Sequence, residues 1–344
     1  MTVRHVPAQF RTIQAAVEES GPGDTIRVAG GIYAGPVTIG PGRDRLAIIG
    51  SGAENVIIEG PGDGAGLTIT GSTMVTVTGL TVAGFVTGME VGTSDNTIRD
   101  VTVTGSGVDG IVVSQGAARN LFLRVTVRGS GGDGIQIFGA NNYVIDSQFH
   151  DNGDDGIDFD GPFNLALHNR ASGNDSGLIL QGANCLALDN QFVGNVEGIV
   201  IRSAGNLIFD NFISRNSRVG ILFLDATESL VLANEVSCNL GPGMQALAAS
   251  GIAVIGNTVE NNGTDGIELT GGATAFVIDD NEIEENAMAG IRLLSDTARH
   301  IIRRNKLKRN NPDIAAQPPA GENSLFDENE CDTSEPRGLC RCDD

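Results

Sequence analysis

The sequence has no tryptophan, 2 tyrosines and 13 phenylalanines, so aromatics make up only 4% of its 344 residues. A core built around large rings is excluded. Basic residues are scarce as well, 22 Lys and Arg against 43 Asp and Glu, for a net charge of −21. That balance removes the cationic footprint that nucleic acid requires. It suits solubility or divalent cations, and it repels a polyanionic glycan unless a metal or a local basic patch intervenes. No apolar run approaches the ~20 residues of a membrane span. Met1 to Phe10 lack the basic stretch and apolar core of a signal peptide. Proline is limited to 11 residues, whereas the 48 glycines are about double the usual ~7% share. With no Gly-X-Y period, collagen is excluded, and 40% hydrophobic residues exclude a disordered chain.

What is present is a repeat. Gly followed by an apolar residue recurs from Gly66-Leu67, Gly88-Met89 and Gly110-Ile111 through Gly134-Ile135 and Gly156-Ile157 to Gly266-Ile267 and Gly290-Ile291. The step is 21 to 24 residues throughout. Two Asn columns run in phase with it, one through Asn169, Asn190, Asn211 and Asn234, the other through Asn152, Asn174, Asn195 and Asn216. Segments such as Gly-Ile-Gln-Ile alternate as a half-buried strand does, and three to five residues between corners are too few for a helix. One coil cannot bury its apolar face, but stacked coils share a core. Asn at the corners tolerates a left-handed backbone and can hydrogen-bond to neighbouring coils.

On these residues the sequence resembles the right-handed parallel β-helix proteins of the pectin-lyase-like superfamily. The expected fold is all-β: a right-handed single-stranded parallel β-helix of about a dozen coils over residues 1–310. Phe10, Ile13, Ala16 and Val17 are read as the apolar face of an N-terminal cap helix at about 10–20. Residues 311–344 lose the repeat, gain Pro312, Pro318, Pro319 and Pro336, and read as an irregular C-terminal cap. Of five cysteines, Cys185 and Cys238 sit singly in the repeat and read as small buried residues. In an oxidising compartment Cys331 would pair with Cys340 or Cys342.

The resemblance implies three strands per coil and a binding groove along the outer face of the first, taken as the Gly-Ile-x-apolar segment. Its outward column includes Glu90, Val112, Gln136, Asp158, Ile179, Val200, Leu222 and Gln245. The densest feature is Asn152-Gly-Asp154-Asp155-Gly-Ile-Asp158-Phe-Asp160, with Asp133 and Asp109 one and two coils before Asp155. Carboxylates this close resist joint ionisation, so one holds a proton or a cation binds. Asp155, Asp158 and Asp160 are the catalytic candidates, as acid and base toward a sugar. Asp133, Gln136, Gln181 and Arg202 are the substrate-binding candidates. Asp154, Asp155 and Asp158 are candidate ligands for Ca²⁺. Set against this, Asp before Gly is a good turn residue for its own sake. His168 would lie beside Asp146 and Asp189, and His150 beside Arg128; both also read as surface charge.

Ile179, Val200 and Leu222 form an outward apolar strip, read as a contact for a loop, the tail or a second copy. The polygalacturonase blocks N-T-D, G-H-G and R-I-K are absent, with only Asp154-Asp155 echoing D-D. The pectate-lyase W-I-D-H and the mannuronan-epimerase D-P-H-E are absent too. The sequence therefore supports a carbohydrate-active protein, a lyase or hydrolase binding an extended polysaccharide on the first-strand face. The alternative is a non-catalytic structural, cell-surface or adhesion β-helix, favoured by the scarcity of loops. The resemblance implies a secreted or cell-surface location.

Overall fold

A computed structural model describes residues 1–341. Each repeat becomes one coil of three short strands, for example Ile135–Ile137, Tyr143–Ile145 and Gln148–His150. The first strand of a coil runs buried–outward–buried, and the second and third run outward–buried–outward. The inward residues stack in columns, so that Ile135, Gln136 and Ile137 pair in parallel with Ile157, Asp158 and Phe159. The chain is an all-β parallel solenoid of about 14 turns, somewhat more than the dozen read from the repeat, with one short helix among the described residues. It divides into two compact units, Met1–Asp175 and the residues from Ser176 onward.

The glycine before each first strand is required by packing. A Cβ on Gly134 would lie 2.5 Å from the Gly156 carbonyl oxygen, and one on Gly266 would lie 2.6 Å from that of Gly290. Neighbouring backbones approach too closely there for any side chain.

The corners hold two separate devices. The left-handed conformation falls on the residue before each ladder position: Asp146, ahead of Ser147, and His168, Asp210, Ala233 and Arg304, ahead of Asn, all have φ between 51° and 58°. The Asn that follows carries the hydrogen bonds instead, which corrects the expectation that one residue does both. Asn234 is typical. Its Oδ1 accepts from the Asn211 backbone N–H and from Asn211 Nδ2, both at 2.9 Å, while its Nδ2 donates to Ile208 O, Leu232 O and Asn257 Oδ1. A third ladder, Asn96–Asn120–Asn142–Asn164, runs through the first unit at the corner before the second strand. In the second unit Cys185 occupies that column, buried, with its N–H on Asn206 Oδ1. Cys238, expected to be buried, is exposed, because it takes the left-handed corner position ahead of Asn239.

The helix spans Ile13–Glu18, N-capped by the Thr12 side chain, and buries Ile13, Ala16 and Val17. Phe10 lies before it and is only half-buried. The strand Val3–Val6 precedes the helix and pairs with Thr25–Val28. At the other end the strands Ile314–Ala316, Leu325–Asp327 and Ser334–Glu335 pair onto the coils before them, and Cys331 bonds to Cys340. Cys342 lies outside the described residues. Asp313, fully buried, accepts both the backbone N–H and Nδ2 of Asn310 on one oxygen. Its other oxygen takes Asp332 N–H, Thr333 N–H and the Thr333 hydroxyl.

Ile179, Val200 and Leu222 do point outward in register. They are nevertheless only 7%, 1% and 7% exposed. Rows at ~4.8 Å spacing shield one another, and Val219, Leu224 and Leu247 close over them. The strip is a satellite core and presents no open face. An exposed apolar surface lies elsewhere, on the second strands. Leu186, Leu207, Leu230, Ala253, Val277, Ile301 and Leu325 stack in one outward column.

Candidate functional site

Within the first unit, the first strands Ile111–Val113, Ile135–Ile137 and Ile157–Phe159 place Val112, Gln136 and Asp158 in one outward row. The turn before each strand carries Asp109, Asp133 and Asp155 in a second row. This row is itself a ladder. Asp109 Oδ1 accepts the Asp133 N–H, and Asp133 Oδ1 accepts the Asp155 N–H, each at 2.9 Å. Asp109 and Asp133 thus do the turn work that their position before Gly suggested.

The row also gathers charge where water is scarce. Asp133, Asp155 and Asp158 are 6%, 8% and 4% exposed. Burial is the main cause that raises the Asp133 carboxyl to about 8, with Asp158, Asp155 and Asp109 adding to it; the Asp155 N–H opposes the shift. At neutral pH Asp133 therefore holds a proton. Asp160, half-buried at the strand end, is raised by burial and steadied by Gln136 Nε2, which donates to its Oδ2 at 3.1 Å.

Carboxylate oxygens of Asp133, Asp154 and Asp155 all lie within 4.8 Å of one another, with Asp154 exposed. Three hard oxygen donors can hold a divalent cation. The set contains Asp133, a residue not counted among the ligands from sequence, and does not contain Asp158. The remaining calls fall as follows. Gln181 and Arg202 are exposed residues of the second unit, just beyond its first strands Ser176–Leu180 and Glu197–Ile201. His150 is in register with Arg128, its Nδ1 2.9 Å from Asp151, and His168 Nδ1 is 3.5 Å from Asp146. Both rings are on the surface, away from the first-strand face. The second unit carries a pair on that face that the sequence columns held but did not single out. Asp265 Oδ1 accepts from Arg292 Nε and from the Ala289 N–H, each at 2.8 Å.

The fold is shared with several solved proteins. The A-module of mannuronan C-5 epimerase AlgE6 from Azotobacter vinelandii superposes with a TM-score of 0.71 at 20% identity, covering 93% of this chain and 95% of that one. The catalytic domain of a GH87 α-1,3-glucanase, solved with tetrasaccharides, gives 0.56 at 10% identity over 98% of this chain and 68% of that one. Bacteriophage phi29 gene product 12 gives 0.73 at 13% identity over 94% and 54%. No curated protein matches by sequence. The model of the right-handed β-helix region matches residues 65–211, 168–307 and 249–339. With stacked three-strand coils, Asn ladders and that match over most of its length, the chain belongs to the right-handed β-helix family.

Proposed function

We propose that the protein binds an extended polysaccharide along its first-strand face and cleaves it by acid–base chemistry at the acidic row of the first unit. The observation that carries this reading is a carboxyl held protonated at neutral pH, Asp133, packed among Asp109, Asp155 and Asp158, with Asp160 at the end of the next first strand. Carboxyls with pKa values driven apart divide into proton donor and proton acceptor. In this reading Asp160, the most accessible of the raised pair, meets the glycosidic oxygen, and Gln136 fixes its orientation. Asp160 gives its proton to that leaving oxygen, Asp155 or Asp158 takes a proton from the water that adds to the anomeric carbon, and Asp133 contributes to sugar binding. Gln181 and Arg202 are proposed sugar contacts in the second unit. An acidic centre in a chain of net charge −21 fits a neutral glycan. A uronate polymer fits only with a cation such as Ca²⁺ on Asp133, Asp154 and Asp155, where it would neutralise the substrate carboxylate. The fold likeness to an alginate epimerase module and a glucanase domain supports a polysaccharide partner.

The test is a panel of neutral and acidic polysaccharides with and without Ca²⁺, products read by mass spectrometry and polymer binding by pull-down. Hydrolysed or unsaturated oligosaccharides are expected, lost in Asp158→Asn/Asp160→Asn while the melting temperature holds. No binding and no product across the panel overturns the proposal. It would favour the second reading, a non-catalytic surface or structural β-helix, which the backbone-capping role of Asp109 and Asp133 supports.

A further inference from the structure

In the second unit the first strands Met244–Leu247, Ile267–Thr270 and Ile291–Leu293 bring Gln245, Glu268 and Arg292 into one outward row, each in register with the next. Leu222 borders the row on one side and Ala315 on the other. All three polar side chains are partly exposed. Asp265 stands in the turn before the middle strand, and Asp265-Gly-Ile-Glu268 repeats the spacing of Asp155-Gly-Ile-Asp158.

Each member of the row is held and still has bonding capacity to spare. Arg292 is anchored through Nε on Asp265 Oδ1 at 2.8 Å, and its side chain is 24% exposed. A guanidinium has five N–H donors, and among the described residues Nε alone has an acceptor. Gln245 Nε2 donates to Glu268 Oε2 at 2.6 Å. That contact steadies the carboxylate and leaves Oε1 without a donor among the described residues. Asp265 is almost wholly buried, and burial pushes its carboxyl up against the pull of Arg292 and the Ala289 N–H.

These capacities select the ligand. An oxyanion would meet Asp265 and Glu268 beside the one guanidinium, and a cation would meet Arg292. A neutral hydroxyl meets neither objection, because it accepts from Arg292 and donates to Glu268 Oε1 at once. The two residues lie on adjacent strands ~4.8 Å apart, close enough to share hydroxyls on neighbouring carbons of one ring. Leu222 and Ala315 suit the C–H surface of that ring. We propose that Gln245, Glu268 and Arg292 form a subsite for a vicinal hydroxyl pair of a neutral sugar, and that Asp265 positions Arg292. The proposal rests on the reading that a glycan lies along the first-strand face, and it narrows that glycan to a neutral one.

The experiment is isothermal titration calorimetry of the full chain with soluble β-glucan, galactomannan and polygalacturonate, with products read by mass spectrometry. Wild type is expected to bind a neutral polymer. Arg292→Gln and Glu268→Gln should each weaken that binding about 10-fold or more, the loss of a hydrogen bond to a charged group. Asp265→Asn should weaken it less, and Asp265→Asn/Arg292→Gln no more than Arg292→Gln alone, because the carboxylate acts through the guanidinium. Glu260→Gln, outward on the third strand, should bind as wild type does. Circular dichroism and melting temperature certify each fold, and Glu268→Gln carries the test should Arg292→Gln fail to fold. Neutral-polymer binding that survives both single substitutions overturns the subsite, even where Asp158→Asn/Asp160→Asn abolishes cleavage, so the two readings fail separately. Binding without products, lost in Arg292→Gln, supports the subsite and removes the cleavage reading. Binding confined to polygalacturonate overturns the neutral class, and no binding to any polymer overturns both readings.

Discussion

Replacing Asn234 by Ala should cost the second unit about 3 kcal/mol. The side chain is 1% exposed and makes five hydrogen bonds. Its removal orphans the Asn211 backbone N–H, which donates to Asn234 Oδ1 at 2.9 Å. A buried unsatisfied N–H costs about 1–3 kcal/mol. The other losses are softer. Asn211 Nδ2 still reaches Ala187 O and Phe209 O, and Asn257 Oδ1 keeps the Asn234 backbone N–H. Each of those lost bonds is worth about 0.5–1.5 kcal/mol net, reduced where water enters the space left behind. At roughly 2–4 °C per kcal/mol, the melting temperature should fall by about 6–12 °C. Solenoids unfold in segments, so the local assay is hydrogen exchange, in which the Asn211 amide should lose protection ahead of amides in the first unit. Glu235→Ala, an exposed change one residue away, serves as the control. A loss below about 1 kcal/mol with the Asn211 amide still protected would refute the claim that the ladder secures the corner.

Asp133→Asn keeps the Oδ1 that accepts the Asp155 N–H and removes the titration. In wild type the folded carboxyl is raised from 3.8 to about 8, so between those values the unfolded chain has released a proton that the folded chain retains. Stability from this group is therefore lost as pH rises from about 4 to about 8; the variant should show a flatter pH–stability profile, read by denaturant titration, and equal or greater stability at pH 7. Ca²⁺ should raise the wild-type melting temperature and leave that of the variant unmoved; equal responses would remove Asp133 from any cation site. His300→Phe addresses the opposite sign. The ring is 1% exposed, its Nε2 has no hydrogen-bond partner among the described residues, and burial lowers it from 6.5 to about 4. Wild type should lose stability as pH falls from 6.5 to 4, and the variant should lose less, measured by thermal melts across that range.

The coil period was legible because glycine has no substitute where backbones meet, so its spacing survives in plain sight. The two Asn columns were legible for the same reason: each side chain bonds to its own image one coil away. The left-handed role of the corner residue was not: its column through Asp146, His168 and Asp189 reads as surface charge, and Asp, Arg, His, Ala and Cys all occupy it. The apolar second-strand face was missed because Leu-Ala-Leu is too short to show a period, and apolar residues at all three positions hide which one points inward. Ile179 and Val200 were placed on the correct face, but exposure depends on neighbouring rows, which one strand does not display. At the acidic row, the sequence located Asp133 and Asp155 one coil apart. It did not reveal that burial would leave Asp133 protonated, or that Asp133 would join Asp154 and Asp155.

An Asn ladder is directional, and every member both receives and hands on. Asn262 passes its bonds to Asn286, and Asn286 passes them to Asn310. Asn310 passes both of its donors to Asp313, and there the relay ends, because a carboxylate accepts and has no N–H to pass on. Among the described residues the neighbouring ladder ends on an amide, Asn329, whose Nδ2 turns back to Ile302 O, so the carboxylate ending is particular to the series through Asn262, Asn286 and Asn310. Asp313 closes that series chemically: it is a terminator written in a side chain, one atom type away from the residue that propagates.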